Sequence, residues 1–334
     1  MSRHRKDYLL DKITQAVNDD GWNFFFLSDT RFHPFRLNIY KEEESHRIRV
    51  YIWNMTHGGG IRRPVDEYRI QITGVAQFDP EIGGKTLILG WWEEGEVFAG
   101  FDFSRHTGPL GASPSIQIRE EALRNAYLNG LAPWRKENEE IAIAFRPDFF
   151  VEYVRNLESL HSFGESQTDY TVLEEAFQRP DEINEAVIQT VTQPRQTIIS
   201  RVTRKVRENS FKSRVLTAYA AKCAFCGIQL KLTEAAHIIP VSHEFSTDET
   251  SNGLSLCSLH HRAYDMCLVT MNQQYQILYN DGKFEELREL GLDGGMDRFI
   301  NELRPIIHVP PSLNDRPHIE NIRVSNEIRG WNLN

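Results

Sequence analysis

Cys223-Ala224-Phe225-Cys226-Gly227, Glu234-Ala235-Ala236-His237-Ile238-Ile239-Pro240 and Asn252-Gly253-Leu254-Ser255-Leu256-Cys257-Ser258-Leu259-His260-His261-Arg262-Ala263-Tyr264-Asp265 are the runs on which the reading of this chain turns. A Cys-x2-Cys pair at 223 and 226 and a Cys-x2-His pair at 257 and 260 supply four soft or borderline donors. Closed tetrahedral Cys3His is a standard structural Zn2+ set, and each close pair makes a chelating knuckle. One Cys-x2-Cys pair alone reads equally well as a redox couple or two buried thiols; the second half-site turns the reading to zinc. Cys267 is left over and reads as a buried apolar residue.

A second constellation runs through the same segment: His237, Asn252, His261 and Asp265, at intervals of 15, 9 and 4 residues. In these residues and intervals the segment 211–265 resembles the HNH endonucleases, the ββα-metal group, in the form common in bacterial restriction proteins. The resemblance implies a hairpin whose first strand ends at His237, a loop carrying Asn252, and a helix carrying His261. It extends weakly to the basic helix before the segment and to the Pro310-Pro311 and Arg316-Pro317 tail, and it does not reach residues 1–160.

Phosphodiester hydrolysis needs an activated water, neutralisation of the phosphoryl oxygens and support for the leaving 3′ oxygen. An imidazole with a pKa of about 6.5 can take the proton of water at cellular pH, which assigns the general base to His237. A single divalent ion, Mg2+ or Mn2+, serves as Lewis acid. His261 and Asp265, four apart on one helix, share a face and could both reach it. Asn252 is the positioning residue, its amide bonding across the loop. Many family members place an Asp or His ligand directly before the base, where this chain has Ala236; two protein ligands then remain, with waters and phosphate completing the shell. His260 and His261 could exchange roles, although the Cys-x2-His spacing favours His260 on zinc.

The net charge of −9 hides a basic block. Residues 195–231 carry nine Lys/Arg against one Asp/Glu, while 151–194 carry two against nine. Arg201, Arg204, Lys205 and Arg207, with Lys212 and Arg214, form a footprint suited to the phosphates of double-stranded DNA. Read as a helix, 211–221 turns Phe211, Val215 and Tyr219 inward.

Composition places the rest. With 334 residues, 40% hydrophobic and 25% charged, the chain suits two folded domains. No apolar run approaches a membrane span, the first residues carry no apolar signal core, and four cysteines favour a reduced, cytoplasmic setting. Helical spacing over the first 20 residues gives way to strand patterns from about 22 to 103, then to helices around 118–128 and 149–160. The fold class expected is α+β: residues 1–160 built on a mostly antiparallel sheet, with a barrel as its candidate closed form; 161–194 an acidic linker with a short helix at 172–177; and 195–334 the ββα-metal domain.

Residues 1–160 are dense in aromatics. Most belong to a core, but Trp91-Trp92, Arg62-Arg63 and the loop glycines could read DNA, one route being a modified base stacked in an aromatic pocket. The whole reads as a restriction endonuclease against foreign DNA, modified DNA included, with a homodimer as the form that cuts both strands. Two alternatives remain: a zinc-stabilised DNA-binding protein that does not cut, and a nuclease effector whose first domain senses a ligand or a partner.

Overall fold

Tyr51 and Ile52 are neighbours in sequence yet sit in different cores, because successive side chains of a strand point to opposite faces. That alternation organises the first half of the protein. The computed structural model describes residues 4–58, 64–178, 183 and 185–331. The chain divides into two compact units, Met1–Val206 and Arg207–Asn334.

The first unit opens with α1 (Lys6–Asp19), followed by β1 (Asn23–Phe26), β2 (Phe35–Lys41), β3 (Glu44–His57), β4 (Glu67–Gln71), β5 (Lys85–Trp92) and β6 (Val97–Phe101). Then come β7 (Ser115–Arg119), α2 (Glu120–Asn129), β8 (Leu131–Arg135), β9 (Ile141–Phe145), α3 (Phe150–Arg155), α4 (Leu157–Ser162), α5 (Gln167–Gln178) and α6 (Glu185–Ile188). The main path of the sheet is β1-β2-β3-β5-β6-β9-β8. β3 and β5 run parallel, and the other pairs are antiparallel. Long β3 leaves this path at its end, where Met55–His57 pair with β4, which pairs in turn with β7. The expected mixed, mostly antiparallel sheet is present. No closed barrel is found among the described residues: β1 and β8 are edges, and the β4–β7 branch leads away instead of joining them.

Both faces of the central strands are covered. Leu87, Leu89, Trp91, Ile141, Ile143 and Phe145 pack with α1, α3, α4 and α5, while Ile88, Trp92, Ala142 and Ala144 face α2, β4 and β7. A doubly buried strand reads as an unbroken apolar run, not an alternation. For that reason Ile141-Ala142-Ile143-Ala144-Phe145 gives no strand signal by periodicity. Pro133 hides β8 in the same way, being tolerable there because the strand lies at the edge. Trp91 and Trp92, candidates for reading DNA, are instead core residues 1% and 4% exposed, their indole N–H groups donating to Glu93 and Glu94. Arg62 and Arg63 lie outside the described residues.

The acidic stretch expected as a linker is packed. Tyr170, Val172, Leu173, Ala176 and Phe177 of α5 are buried in the first core, where Ile198, Ile199, Val202 and Val206 join them. Apolar residues at helical spacing within an acidic segment carried that information. Charge alone was the poorer guide.

In the second unit, α7 (Gln193–Ala218), which begins before the boundary, contributes Phe211 and Val215 to the core, and Tyr219 follows them inward as expected. After it stand β10 (Thr233–His237), β11 (Gly253–Cys257), α8 (Ser258–Asp265), β12 (Val269–Met271), β13 (Ile277–Tyr279), α9 (Asp281–Glu289), α10 (Met296–Glu302) and α11 (Ile319–Ile328). β10 and β11 are antiparallel with His237 opposite Gly253, which makes the hairpin-then-helix order of the ββα arrangement. Among the described residues no helix is long and apolar enough to cross a membrane.

Candidate active site

Cys223, Cys226, Cys257 and His260 present donor atoms that all lie within 4.8 Å of one another. His260 turns Nδ1 toward the thiols, 3.1 Å from Cys257 Sγ and 3.7 Å from Cys223 Sγ. With Zn–S near 2.3 Å, the edge of a tetrahedral site is about 3.8 Å, so the cluster fits zinc. Burial pushes the Cys226 thiol up to about 12; at Cys223 it is overcome by hydrogen bonds from His260 and from backbone N–H groups, which pull that thiol down to about 6. Three crowded thiols ionise together only around a cation.

His237 closes β10 with its ring stacked on Phe211, centroids 3.8 Å apart. Its Nε2 lies 2.9 Å from Asp248 Oδ1. A carboxylate only accepts, so Nε2 carries the proton and Nδ1 keeps the lone pair. Arg214 Nη2 donates to the Asp248 carbonyl at 2.6 Å and so braces the residue that orients the imidazole.

Asn252 is wholly buried and stitches its loop. Its Oδ1 accepts from Ile239 N at 3.0 Å, and its Nδ2 donates to the Thr247 carbonyl at 2.8 Å. The ends of the loop that carries Asp248 are thereby fixed beside His237. Gly253 follows because a Cβ there would meet Val215 Cγ2 at 2.3 Å and Phe211 at 3.1 Å. Gly253→Ala should destabilise the second unit by about 2 kcal/mol, read as a fall in its unfolding midpoint in urea; an unchanged midpoint would mean that Val215 and Phe211 give way freely.

His261 stands on α8 with Nδ1 2.8 Å from Glu234 Oε2 and Nε2 3.6 Å from Asp265 Oδ2. In the neutral ring that donates Nδ1–H to Glu234, Nε2 keeps its lone pair on the side of the Asp265 carboxylate. Burial works to raise the Glu234 carboxyl, but hydrogen bonds from His261 and Ser258, with the nearby Lys212 charge, hold it below its ordinary range. Arg329 Nη1 lies 3.7 Å from Asp265 Oδ1, a competing positive charge. Behind the site, Ser325 of α11 donates to the Ile238 carbonyl at 2.6 Å, so the tail after residue 310 supports the hairpin directly.

The basic residues divide. Lys212 is exposed, whereas Lys205 is bound to Asp20 and Arg201 faces Glu152 at 4.0 Å. Arg204 and Arg207 also have partners. Asp248 and Glu234 are the residues that sequence reasoning missed. Glu234 lay three residues before His237 in the quoted run, but nothing in that spacing marked it as a partner of His261.

Residues 223–272 match the family model described as HNH endonuclease, and residues 46–154 match one described as Methylase-associated X1. The chain thus carries an HNH endonuclease domain, and its class is that of the DNA endonucleases. Among solved structures, a modification dependent TagI restriction endonuclease is 13% identical, over 85% of this chain and 81% of that one, with a TM-score of 0.28. So low a score carries no weight for fold or function. None of the curated proteins matches.

Proposed function

We propose that this DNA endonuclease is a restriction enzyme acting on foreign duplex DNA, in which His237 is the general base. The observation that carries the nuclease reading is the HNH endonuclease match over residues 223–272. The choice of base rests on the 2.9 Å contact of His237 Nε2 with Asp248, which in the neutral ring leaves Nδ1 as the proton acceptor. Nδ1 takes the proton of the attacking water; Asp248 holds the ring in that tautomer and steadies the imidazolium that results. His261 Nε2 and the Asp265 carboxylate are the ligands for Mg2+ or Mn2+, with Glu234 fixing the imidazole from behind. When bound, that ion polarises the phosphate and stabilises the leaving oxygen. Cys223, Cys226, Cys257 and His260 hold a structural Zn2+. Asn252 keeps the loop closed.

Lys212 is the strongest phosphate contact among the basic residues, with Arg201, Arg204, Lys205, Arg207 and Arg214 contributing where their partners release them. The first unit reads the DNA, modified DNA included. The Methylase-associated description of its matching model is consistent with a partner that protects host DNA. Two chains acting together would cut both strands. A rival reading, a zinc-stapled DNA-binding protein that does not cut, draws on Ala236 and on Arg329 beside Asp265.

Incubation of the full chain with Mg2+ or Mn2+ and a panel of plain, methylated and hydroxymethylated duplexes tests the proposal. Cutting of at least one duplex is the expected result; binding without cutting on every one would favour the rival. Asp248→Asn can turn the tautomer round by donating to Nε2, and should lower the cleavage rate about a hundredfold with an unchanged melting temperature. Full activity in that variant would remove Asp248 from the mechanism.

A further inference from the structure

Between the edge strands β7 and β8 of the first unit lies an open cavity of about 620 Å3. Polar groups dominate its lining, which suits a polar ligand. Trp134 stands at its wall, half-buried, and its indole N–H makes no hydrogen bond among the described residues. Two cations lie near that ring, the Arg119 guanidinium and the Lys136 ammonium, each 6.0 Å from its centroid. Gln117 spends its amide N–H on Ser115, and among the described residues no donor meets its carbonyl oxygen. Arg119 commits one Nη to Asp66 and has other donors to spare.

Glu140, a buried member of the lining, accepts from His106 Nε2 at 3.0 Å and lies 2.8 Å from Lys136 Nζ. Burial works against its charge, yet His106 and Lys136 hold the carboxyl down at about 2. It is a fixed acceptor within a compensated group of charges.

We propose that this cavity binds a single nucleotide. The flat Trp134 ring offers a stacking surface to a base, a contact that tolerates any base because each has a π-face. The Gln117 oxygen and the Trp134 N–H supply one acceptor and one donor for its edge. Arg119 is the cation placed for its phosphate. The volume admits one nucleotide with room for water, and not a stretch of duplex. Two sources share this chemistry: a nucleotide swung out of DNA, or a free one. The first rests on the reading of this unit as the DNA-recognising part.

The test uses the full chain carrying His237→Ala, so that DNA survives, and compares it with the same chain carrying Gln117→Leu or Arg119→Met. Calorimetry measures binding of deoxynucleoside monophosphates, plain and with modified cytosine. Fluorescence of 2-aminopurine placed in a duplex reports a base leaving the stack. Either probe should bind saturably, and both substitutions should weaken it at least tenfold at an unchanged melting temperature. Response to the duplex alone, with rising 2-aminopurine signal, identifies an extruded nucleotide; response to monophosphates identifies a free one. Duplex binding with flat fluorescence, untouched by either substitution and without monophosphate binding, overturns the cavity proposal while DNA recognition stands. Absence of duplex binding overturns recognition, and the monophosphates then decide the cavity.

Discussion

His237→Ala should reduce cleavage of duplex DNA at least about a thousandfold while leaving fold and DNA binding in place. The separation of effects follows from where the imidazole sits. It stands on the last rung of the β10–β11 ladder, opposite Gly253, and among the described residues its ring stacks on Phe211 and makes one hydrogen bond, to Asp248. Losing the stack costs about 1 kcal/mol, a small part of the stability of a domain. On the proposed mechanism, losing Nδ1 removes the group that receives the proton of the attacking water. Gel assays of plasmid nicking, with binding and thermal melts on the same preparation, make the comparison. Unimpaired cutting by a folded variant would remove His237 as the base.

What the sequence disclosed of this site followed from the demands of chelation. A metal held by two short loops forces its ligands into close pairs, so Cys223 with Cys226 and Cys257 with His260 can be read by spacing alone. Asn252 was legible only through the resemblance to the HNH endonucleases, and its wholly buried amide does tie the loop. Carboxylates carry no such signature. Asp248 meets His237 only because the Asn252 amide closes the loop between them, and Glu234 meets His261 only because β10 lies against α8. Partnerships of that kind belong to tertiary geometry.

Strands showed the same limit. β2 and most of β3 alternate and were readable, while β9, buried on both faces, offered nothing for a period-two pattern to detect. Sheet closure was beyond reach as well. Whether nine strands form a barrel or a branched sheet depends on where Met55–His57 of β3 find their partner, and both outcomes fit one alternation.

Removal of the metal from the Cys3His cluster should unfold the second unit and spare the first. Structural zinc contributes about 10–16 kcal/mol of apparent binding energy in small domains near neutral pH, as much as the whole stability of a typical domain. Here Cys223 and Cys257 lie within a core that otherwise rests on a few side chains from each short element, among them Phe225, Leu254, Leu256 and Tyr264. The first unit has two larger apolar clusters of its own. Calorimetry after zinc chelation, or on Cys223→Ser, should therefore lose one unfolding transition and keep the other, with amide exchange accelerating across 223–272. Survival of both transitions would make the cluster dispensable. The same measurement separates the adjacent histidines: His260→Ala should reproduce the lost transition, whereas His261→Ala should melt normally and fail to cut. Reversal of that pair would exchange their roles, placing His261 on zinc and His260 at the divalent ion.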